Sequence, residues 1–341
     1  MGNKQDIPVL KIVTNKASII AGEPIAGTIN LFLPYGLNDM IVMFSLKGKE
    51  TCTFKLENNP IVQVGKVFVL NFSQVLYNSF GQLVRHGNYS IPFSISTPHS
   101  IPGTFELTNK KNKAQVKYSV KATLANQKNE KLAKDKVLIL IKQAINMRRI
   151  SIIGSSEMLV KKCGCLRMGL ISLSAHLDKN AYLPGETIVV SINLDNTKGA
   201  GKIKKFVTKL IRITKLKSNN RQSIVLRNQI AKKVTKVNIK PGKSLLGDRA
   251  VEACIKIEKE RQNLELCGTT HGRVIECSYQ IEISCFLGFF YSNGPCIDLV
   301  VMIFPNEIQQ LPPTAPEDWN PVELGQAYME SNEANPYEYI T

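Results

Sequence analysis

The sequence contains no run of about 18 consecutive apolar residues, which a helix needs to cross a bilayer. The lysine-bearing N-terminus also lacks the apolar core of a secretory signal peptide. We therefore expect a cytosolic protein. In a reducing compartment its eight cysteines are expected to be thiols or metal ligands before they are disulfides.

Catalytic motifs are absent as well. The four histidines are scattered along the chain, and neither a Gly-x-Ser-x-Gly elbow nor a His-Glu-x-x-His pair occurs. Acid–base and nucleophilic chemistry need such groups at defined spacings. The sequence therefore predicts a protein that is not an enzyme and needs no cofactor.

Acidic residues are scarce, and the formal net charge is +17. Between Lys161 and Arg261 there are 23 Lys or Arg against 7 Asp or Glu, whereas residues 304–341 hold 7 acidic residues and no basic one. The basic region is either a solvated surface or a site for anionic lipid headgroups and phosphorylated partners, with the acidic tail as a competitor. Nucleic acid is not expected, because aromatic residues are not interleaved with the basic runs. The candidate anion contacts are Lys202, Lys204, Lys205, Lys209, Arg212, Lys215 and Lys217.

Two stretches of the chain repeat each other. Gly22-Glu23 opens an alternating apolar strand near the start, and Gly185-Glu186 opens another in which the apolar side chains fall at the same offsets. A second marker, Tyr118, recurs as Tyr279. The glycines lie 163 positions apart (185 − 22) and the tyrosines 161 (279 − 118), which indicates a tandem duplication.

Short runs rich in β-branched residues, bounded by Gly, Pro or Asn, fill both halves. We find no convincing amphipathic helix, so the sequence predicts an all-β protein of two tandem β-sandwiches. The predicted organisation is a first sandwich over residues 1–146, a linker over 147–162, a second sandwich over 163–305 and a Pro-rich acidic tail over 306–341.

Cys163 and Cys165 have the spacing of a metal-binding pair, but a structural zinc needs four converging ligands, usually as two close pairs, and Cys267-x-x-x-His271 is only loosely suitable as the second pair. Ordinary thiols are the favoured interpretation, and no metal is expected. Alternatively Cys163 and Cys165, beside Lys161 and Lys162, are redox-sensitive or acylated thiols.

The tail offers two further candidates. Tyr337 and Ile340 fit the Tyr-x-x-Φ pattern that clathrin-adaptor subunits bind as an added strand. Trp319, the only tryptophan, is expected to pack back onto a sandwich.

Taken together, the motifs resemble those of the arrestin-domain-containing proteins, or alpha-arrestins. The first half carries Gly22-Glu23, Tyr89-Ser90-Ile91-Pro92-Phe93 and Ile101-Pro102-Gly103-Thr104-Phe105. The second carries Tyr182-Leu183-Pro184-Gly185-Glu186, Asn196 and Tyr279. The resemblance covers approximately Pro8 to Phe304. It implies two arrestin-like, immunoglobulin-like sandwiches joined by a short hinge.

The resemblance also implies a non-enzymatic adaptor that holds a membrane-protein cargo and recruits trafficking machinery or a WW-domain ubiquitin ligase. Such a protein is peripheral to the plasma membrane or endosomes. The chain departs from the family at the ligase motif, since Pro312-Pro313-Thr314-Ala315 has alanine where Pro-Pro-x-Tyr needs tyrosine. Two alternatives remain open: a coat subunit similar to the arrestin-fold subunit of retromer, and a redox-responsive regulator that binds thioredoxin.

Overall fold

The structure is a computed structural model that describes residues 7–56, 59–126, 128–144, 150–257, 260–261, 264–265, 267–288, 291, 294–304 and 320–324. These residues are almost entirely in strands and the turns between them, and among them a single 3₁₀ turn, Gly247–Arg249, is the one helical element. The prediction of an all-β fold is confirmed.

The first half contains two sheets. Its strands are β1 (Val9–Thr14), β2 (Ser18–Ile20), β3 (Ile25–Leu33), β4 (Leu37–Asn38), β5 (Ile41–Leu56), β6 (Asn59–Asn78), β7 (Leu83–Val84), β8 (Gly87–Ile95), β9 (Phe105–Thr108), β10 (Lys113–Ala125) and β11 (Lys131–Lys142). One sheet has the order β1-β3-β8 and the other β2-β11-β10-β5-β6, with β9 paired to β10 and a small β4-β7 ribbon outside them. Phe44 on β5 and Phe93 on β8 meet between the sheets with ring centroids 4.9 Å apart.

The second half repeats this plan. Its strands are β12 (Ile152–Lys162), β13 (Leu166–Leu177), β14 (Ala181–Tyr182), β15 (Thr187–Asp195), β16 (Ile203–Lys217), β17 (Ser223–Ile239), β18 (Ser244–Leu245), β19 (Val251–Lys256), β20 (Glu260–Arg261), β21 (Leu264–Glu265), β22 (Thr270–His271), β23 (Ile275–Phe286) and β24 (Cys296–Ile303). One sheet has the order β12-β13-β15-β18 and the other β14-β24-β23-β16-β17. β19 pairs with β15, β22 with β23, and β20 with β21.

The duplicated Gly-Glu turns have the same geometry in both halves. The Glu23 carboxylate accepts a hydrogen bond from the Ile20 amide at 3.0 Å, and the Glu186 carboxylate accepts one from the Leu183 amide at 2.8 Å. Each glutamate also pairs with the lysine seven residues earlier, Lys16 or Lys179. In each half the turn connects a short strand to the next long strand, β2 to β3 in the first half and β14 to β15 in the second. The short strand pairs in parallel with a strand late in the same half, β2 with β11 and β14 with β24.

The duplicated tyrosines, Tyr118 and Tyr279, have the same structural role in the two halves. The Tyr118 hydroxyl donates to the Pro102 carbonyl at 2.6 Å, and the Tyr279 hydroxyl donates to the Cys267 carbonyl. Both side chains are buried, and this burial raises the pKa of each phenol. A buried hydroxyl normally needs such a partner, so each tyrosine fixes the chain entering its neighbouring strand.

In the first Gly-Glu turn, position 22 has no room for a side chain. Its φ is +97°, and a Cβ there would lie 2.1 Å from the His99 ring. We expect Gly22→Ala to lower the free energy of unfolding by about 2 kcal/mol or more, since left-handed backbone alone costs roughly 1–2 kcal/mol for an L-residue. Gly164→Ala is the matched control in urea denaturation, because Gly164 has φ +82° but open space around it. Equal losses for the two variants would contradict a role for His99.

The structure corrects the predicted linker over residues 147–162. Strand β12 occupies Ile152–Lys162 and pairs antiparallel with β13, so most of that segment belongs to the second sandwich. Beyond the second sandwich, β25 (Val322–Glu323) pairs in parallel with Tyr89–Ser90 of β8. The Leu324 amide donates to the Ser90 carbonyl at 2.8 Å. This part of the tail therefore extends a sheet of the first sandwich.

Candidate interaction surfaces

A buried carboxylate joins the two sandwiches. Glu50 on β5 has no exposed surface, and its carboxylate accepts hydrogen bonds from three consecutive amides of the second half. The distances are 3.0 Å from Arg273, 3.0 Å from Val274 and 3.2 Å from Ile275. Charge-assisted bonds to a buried carboxylate are strong, so this contact fixes the start of β23 against the first sandwich.

Further polar contacts surround this junction. The Asn219 amide, in the turn between β16 and β17, donates to the Val64 carbonyl at 3.0 Å, and the Lys66 amide donates to Asn219 Oδ1 at 2.8 Å. On the other side the His271 amide donates to Gln143 Oε1 at 2.6 Å. The turn approaches so closely that a Cβ at Gly65 would lie 2.2 Å from the Lys217 carbonyl. The sandwiches are therefore joined by directional bonds at several points.

Sequence reasoning missed Glu50, although the sequence carries a signal for it. Along β5 the buried positions alternate, and the acid stands in the same phase as Leu46, Cys52 and Phe54. A glutamate in the buried phase of a strand needs a partner, because an unpaired buried charge is very costly. Following the alternation of buried positions along β5 would therefore have identified Glu50 as a buried acid.

The predicted anion-contact lysines fall into two groups by exposure. Lys202 and Lys204 are exposed, and Lys205, Lys209, Lys215 and Lys217 are partly buried on one face of β16. Lys209 pairs with Glu282, and Lys217 pairs with Glu276, whose carboxyl pKa is lowered chiefly by that hydrogen bond. These two lysines are therefore partly neutralised by the neighbouring strand.

Arg212 is corrected by the structure. It is 1% exposed and shares the inward phase of Phe206, Leu210 and Leu216. Its Nη1 lies 4.0 Å from the Cys267 sulfur within the core. A guanidinium in that position cannot contact a membrane surface, so Arg212 belongs to the interior of the second sandwich.

The neighbouring strand β17 adds lysines that were not on the predicted list. Lys232 stands directly opposite Lys209 and Lys236 directly opposite Lys205 in the antiparallel register. We call Lys205, Lys209, Lys232 and Lys236 the lysine array. Directly opposed residues share one face of a sheet, and like charges placed there destabilise it. The four lysines become neighbours only through the pairing of β16 with β17, so the array could not be predicted from their positions in the sequence.

Cys163 and Cys165 are both exposed, in the three-residue loop between the paired Lys162 and Leu166. Cys163 has φ +50° and Gly164 φ +82°, which makes this a tight loop at the end of the β12–β13 hairpin. Burial raises the pKa of other thiols, to about 11 for Cys52 and about 12 for both Cys277 and Cys285. Cys163 and Cys165 therefore belong, with Cys254 and Cys296, to the exposed thiols, whereas the other four are buried.

Other predicted features lie outside the described residues, namely Trp319, Tyr337, Ile340 and the Pro312-Pro313 segment. Within the described part of the chain, no three His, Cys, Asp or Glu side chains are grouped so as to hold a metal ion. The same residues include no helix long and apolar enough to span a bilayer.

Comparison with known proteins shows similarity to arrestins. The family model described as arrestin (or S-antigen), C-terminal domain, matches residues 167–308. Arrestin domain-containing protein A of Dictyostelium discoideum is 34% identical over 127 residues, which is 36% of this chain and 21% of that protein. The matched region therefore spans about a fifth of that relative. The matched family segment holds most of the second sandwich, including β13 to β17, β23 and β24. Residues 167–308 therefore match the arrestin C-terminal domain, and in this region the chain is similar to an arrestin-domain-containing protein.

Proposed function

We propose that this protein is a non-enzymatic adaptor of the alpha-arrestin type that sorts membrane proteins. In this role it links a membrane-protein cargo to sorting or ubiquitination machinery at the plasma membrane or endosomes. The observation that carries the proposal is an arrestin C-terminal domain, over residues 167–308, whose edge presents four lysines on one face.

The lysine array supports the membrane part of the proposal. Lys205 Nζ lies 4.5 Å from the centre of the Phe286 ring, and Lys232 and Lys236 are exposed on the edge strand. Glu282 partly neutralises Lys209, so the like-charge repulsion in the array is strongest between Lys205 and Lys236. Anionic headgroups relieve the repulsion, each basic residue near the surface contributing about 1 kcal/mol.

The partners follow from the tail. A clathrin adaptor is the proposed reader of Tyr337 and Ile340, which have the apolar and aromatic spacing that such subunits bind. A WW-domain ligase is not the proposed partner through the tail, since alanine replaces tyrosine after Pro312-Pro313-Thr314. Any ubiquitin ligase would therefore have to bind by another route.

The adaptor role is tested by removing the protein from cells that make it and quantifying surface proteins by surface biotinylation and mass spectrometry. We expect a small set of membrane proteins to accumulate at the surface and to return to normal levels when the protein is restored. Restoration with Lys232→Glu/Lys236→Glu should fail. An unchanged surface proteome would contradict the adaptor role.

The exposed loop thiols favour a second candidate, a redox-responsive regulator. Cys163 and Cys165 lie together at the end of a hairpin, flanked by Lys161, Lys162 and Arg167. In the proposed step a thiolate of this pair attacks a partner's disulfide, one sulfur bonds to the attacking cysteine, and the other leaves as a thiolate. The product is a mixed disulfide.

Alkylation with iodoacetamide at pH 7.5 checks the thiols. We expect Cys163 and Cys165 to react at least about a hundredfold faster than Cys52 and Cys277, whose raised pKa values leave less thiolate at this pH and whose burial blocks the reagent. Cys254, exposed elsewhere, sets the rate of an ordinary surface thiol. Peptide mass spectrometry over time gives the rates. Equal labelling of exposed and buried cysteines would contradict the assignment.

A further inference from the structure

A cavity of about 720 Å³ opens at the side of the first sandwich, next to the junction with the second. One wall is β6, from Lys66 to Phe72, and the opposite wall is the end of β8 with the segment that follows it. His271, Gly272 and Arg273 of the second half close one end. The volume lies within the range of about 300–1,000 Å³ that is usual for ligand pockets.

The strands that border this cavity are edge strands, and each already carries an added chain segment at one point. On β8, β25 pairs with Tyr89–Ser90. On β6, Asn219 bonds the main chain of Val64 and Lys66. Both edges thus bind extended or turn segments through main-chain groups, which is how peptides add to sheets.

Both edges continue past these contacts toward the cavity. Among the strands that the structure describes, β5 is the one that pairs with β6, and β25 pairs with β8 at Tyr89 and Ser90 alone. The register between β5 and β6 runs without a shift from Val64 to Phe68, and it shifts by one residue at Val69 before Leu70 pairs with Gly48. Since main-chain direction alternates with period two, Phe68 presents its N–H and C=O on the same side as Val64 and Lys66. As far as Phe68, the cavity wall is therefore a continuation of an edge that already forms hydrogen bonds, and the bulge at Val69 bends the strand beyond that point.

The lining indicates what would fit. Its apolar part includes Val67, Phe72, Ile95 and Ile101, and its cationic residues are Lys66 and Arg273. The one acid in the wall, Glu50, is already engaged by three amides. An occupant with an apolar side chain and a neighbouring carboxylate would match both features.

We propose that this cavity binds an extended peptide of a protein partner, which adds as a strand along β6 between Val67 and Phe72. Alternate side chains of the peptide fill the apolar cavity, and an acidic side chain lies against Lys66 and Arg273. This inference deepens the adaptor role and rests on it, because it gives the protein a peptide-binding site separate from the lysine array.

Selection from a phage-displayed library of random nine-residue peptides against the full chain tests the proposal without membranes. Recovered peptides should alternate apolar residues and carry an acid. Fluorescence anisotropy should show affinity at least about tenfold lower for Val67→Arg, which fills the cavity, and within about twofold of the parent for Val62→Arg on the same strand. Lys66→Glu, at an exposed position, should lower affinity about fivefold even if Val67→Arg fails to fold.

Three results would overturn the proposal. The first is that no peptide is recovered, and the second is that neither Val67→Arg nor Lys66→Glu changes the affinity for the peptide. The third is a concentration-dependent dimer that Val67→Arg dissociates, which would assign the cavity to a second copy of the chain. Because no vesicle enters these measurements, their failure leaves the membrane test of the lysine array unaffected.

Discussion

Replacing Glu50 with alanine is expected to lower the free energy of unfolding by about 3 kcal/mol. The substitution removes the acceptor of three consecutive amides, those of Arg273, Val274 and Ile275, at a carboxylate with no exposed surface. Each buried donor left without a partner costs about 1–3 kcal/mol. Glu50→Gln should cost less, because the amide oxygen still accepts part of this set without the charge.

Urea denaturation of the full chain measures this loss, and limited proteolysis around residue 273 reports the loosened junction. Glu106→Ala is the matched control, because its carboxylate is 52% exposed and pairs with Lys117 at the surface. An exposed pair of this kind contributes about 0–1 kcal/mol. A Glu50→Ala loss no larger than that of the control would contradict the view that Glu50 joins the sandwiches.

The second large effect concerns the lysine array. Lys232→Glu/Lys236→Glu should weaken binding to anionic vesicles at least about thirtyfold, since each reversal replaces an attraction of about 1 kcal/mol with a repulsion. The same variant should be as stable as the parent or more stable, because it places acids opposite Lys209 and Lys205. Lower stability together with unchanged vesicle binding would show that the lysines serve the fold.

The duplication was readable from the sequence because period-2 alternation and turn chemistry are local. Ile25, Ile29 and Leu31 are buried as their counterparts Ile188, Ile192 and Leu194 are, and both Gly-Glu turns adopt one geometry. Local rules of this kind need no knowledge of which strands become neighbours. The all-β fold could therefore be predicted from the sequence, although the interaction sites, which depend on which strands become neighbours, could not.

The segment over residues 152–162 shows where local rules fail. Gly154, Ser155 and Ser156 are typical of a loop, yet β12 forms because β13 offers it a complete antiparallel partner. Hydrogen bonding to a partner strand therefore outweighs the weak intrinsic preference of these residues for a loop.

The candidate sites depended on pairing even more. A count of charges grouped Arg212 with the lysines of β16, whereas its phase places it with Leu210 and Leu216 in the core. Lys232 and Lys236 join the array only through their register with β16. The cavity beside β6 is formed by both halves of the chain, so no single stretch of sequence could indicate it.

The most direct test of the membrane role is co-sedimentation of the full chain with phosphatidylcholine vesicles, with and without phosphatidylserine and a phosphoinositide, over a series of salt concentrations. Lys110→Glu/Lys111→Glu is the control, with the same change in net charge at an exposed turn of the first sandwich. We predict that the parent and this control sediment with the anionic vesicles alone, less so as salt rises, and that Lys232→Glu/Lys236→Glu stays in the supernatant. Equal sedimentation of the two variants, or of the parent with neutral and anionic vesicles, would contradict the account.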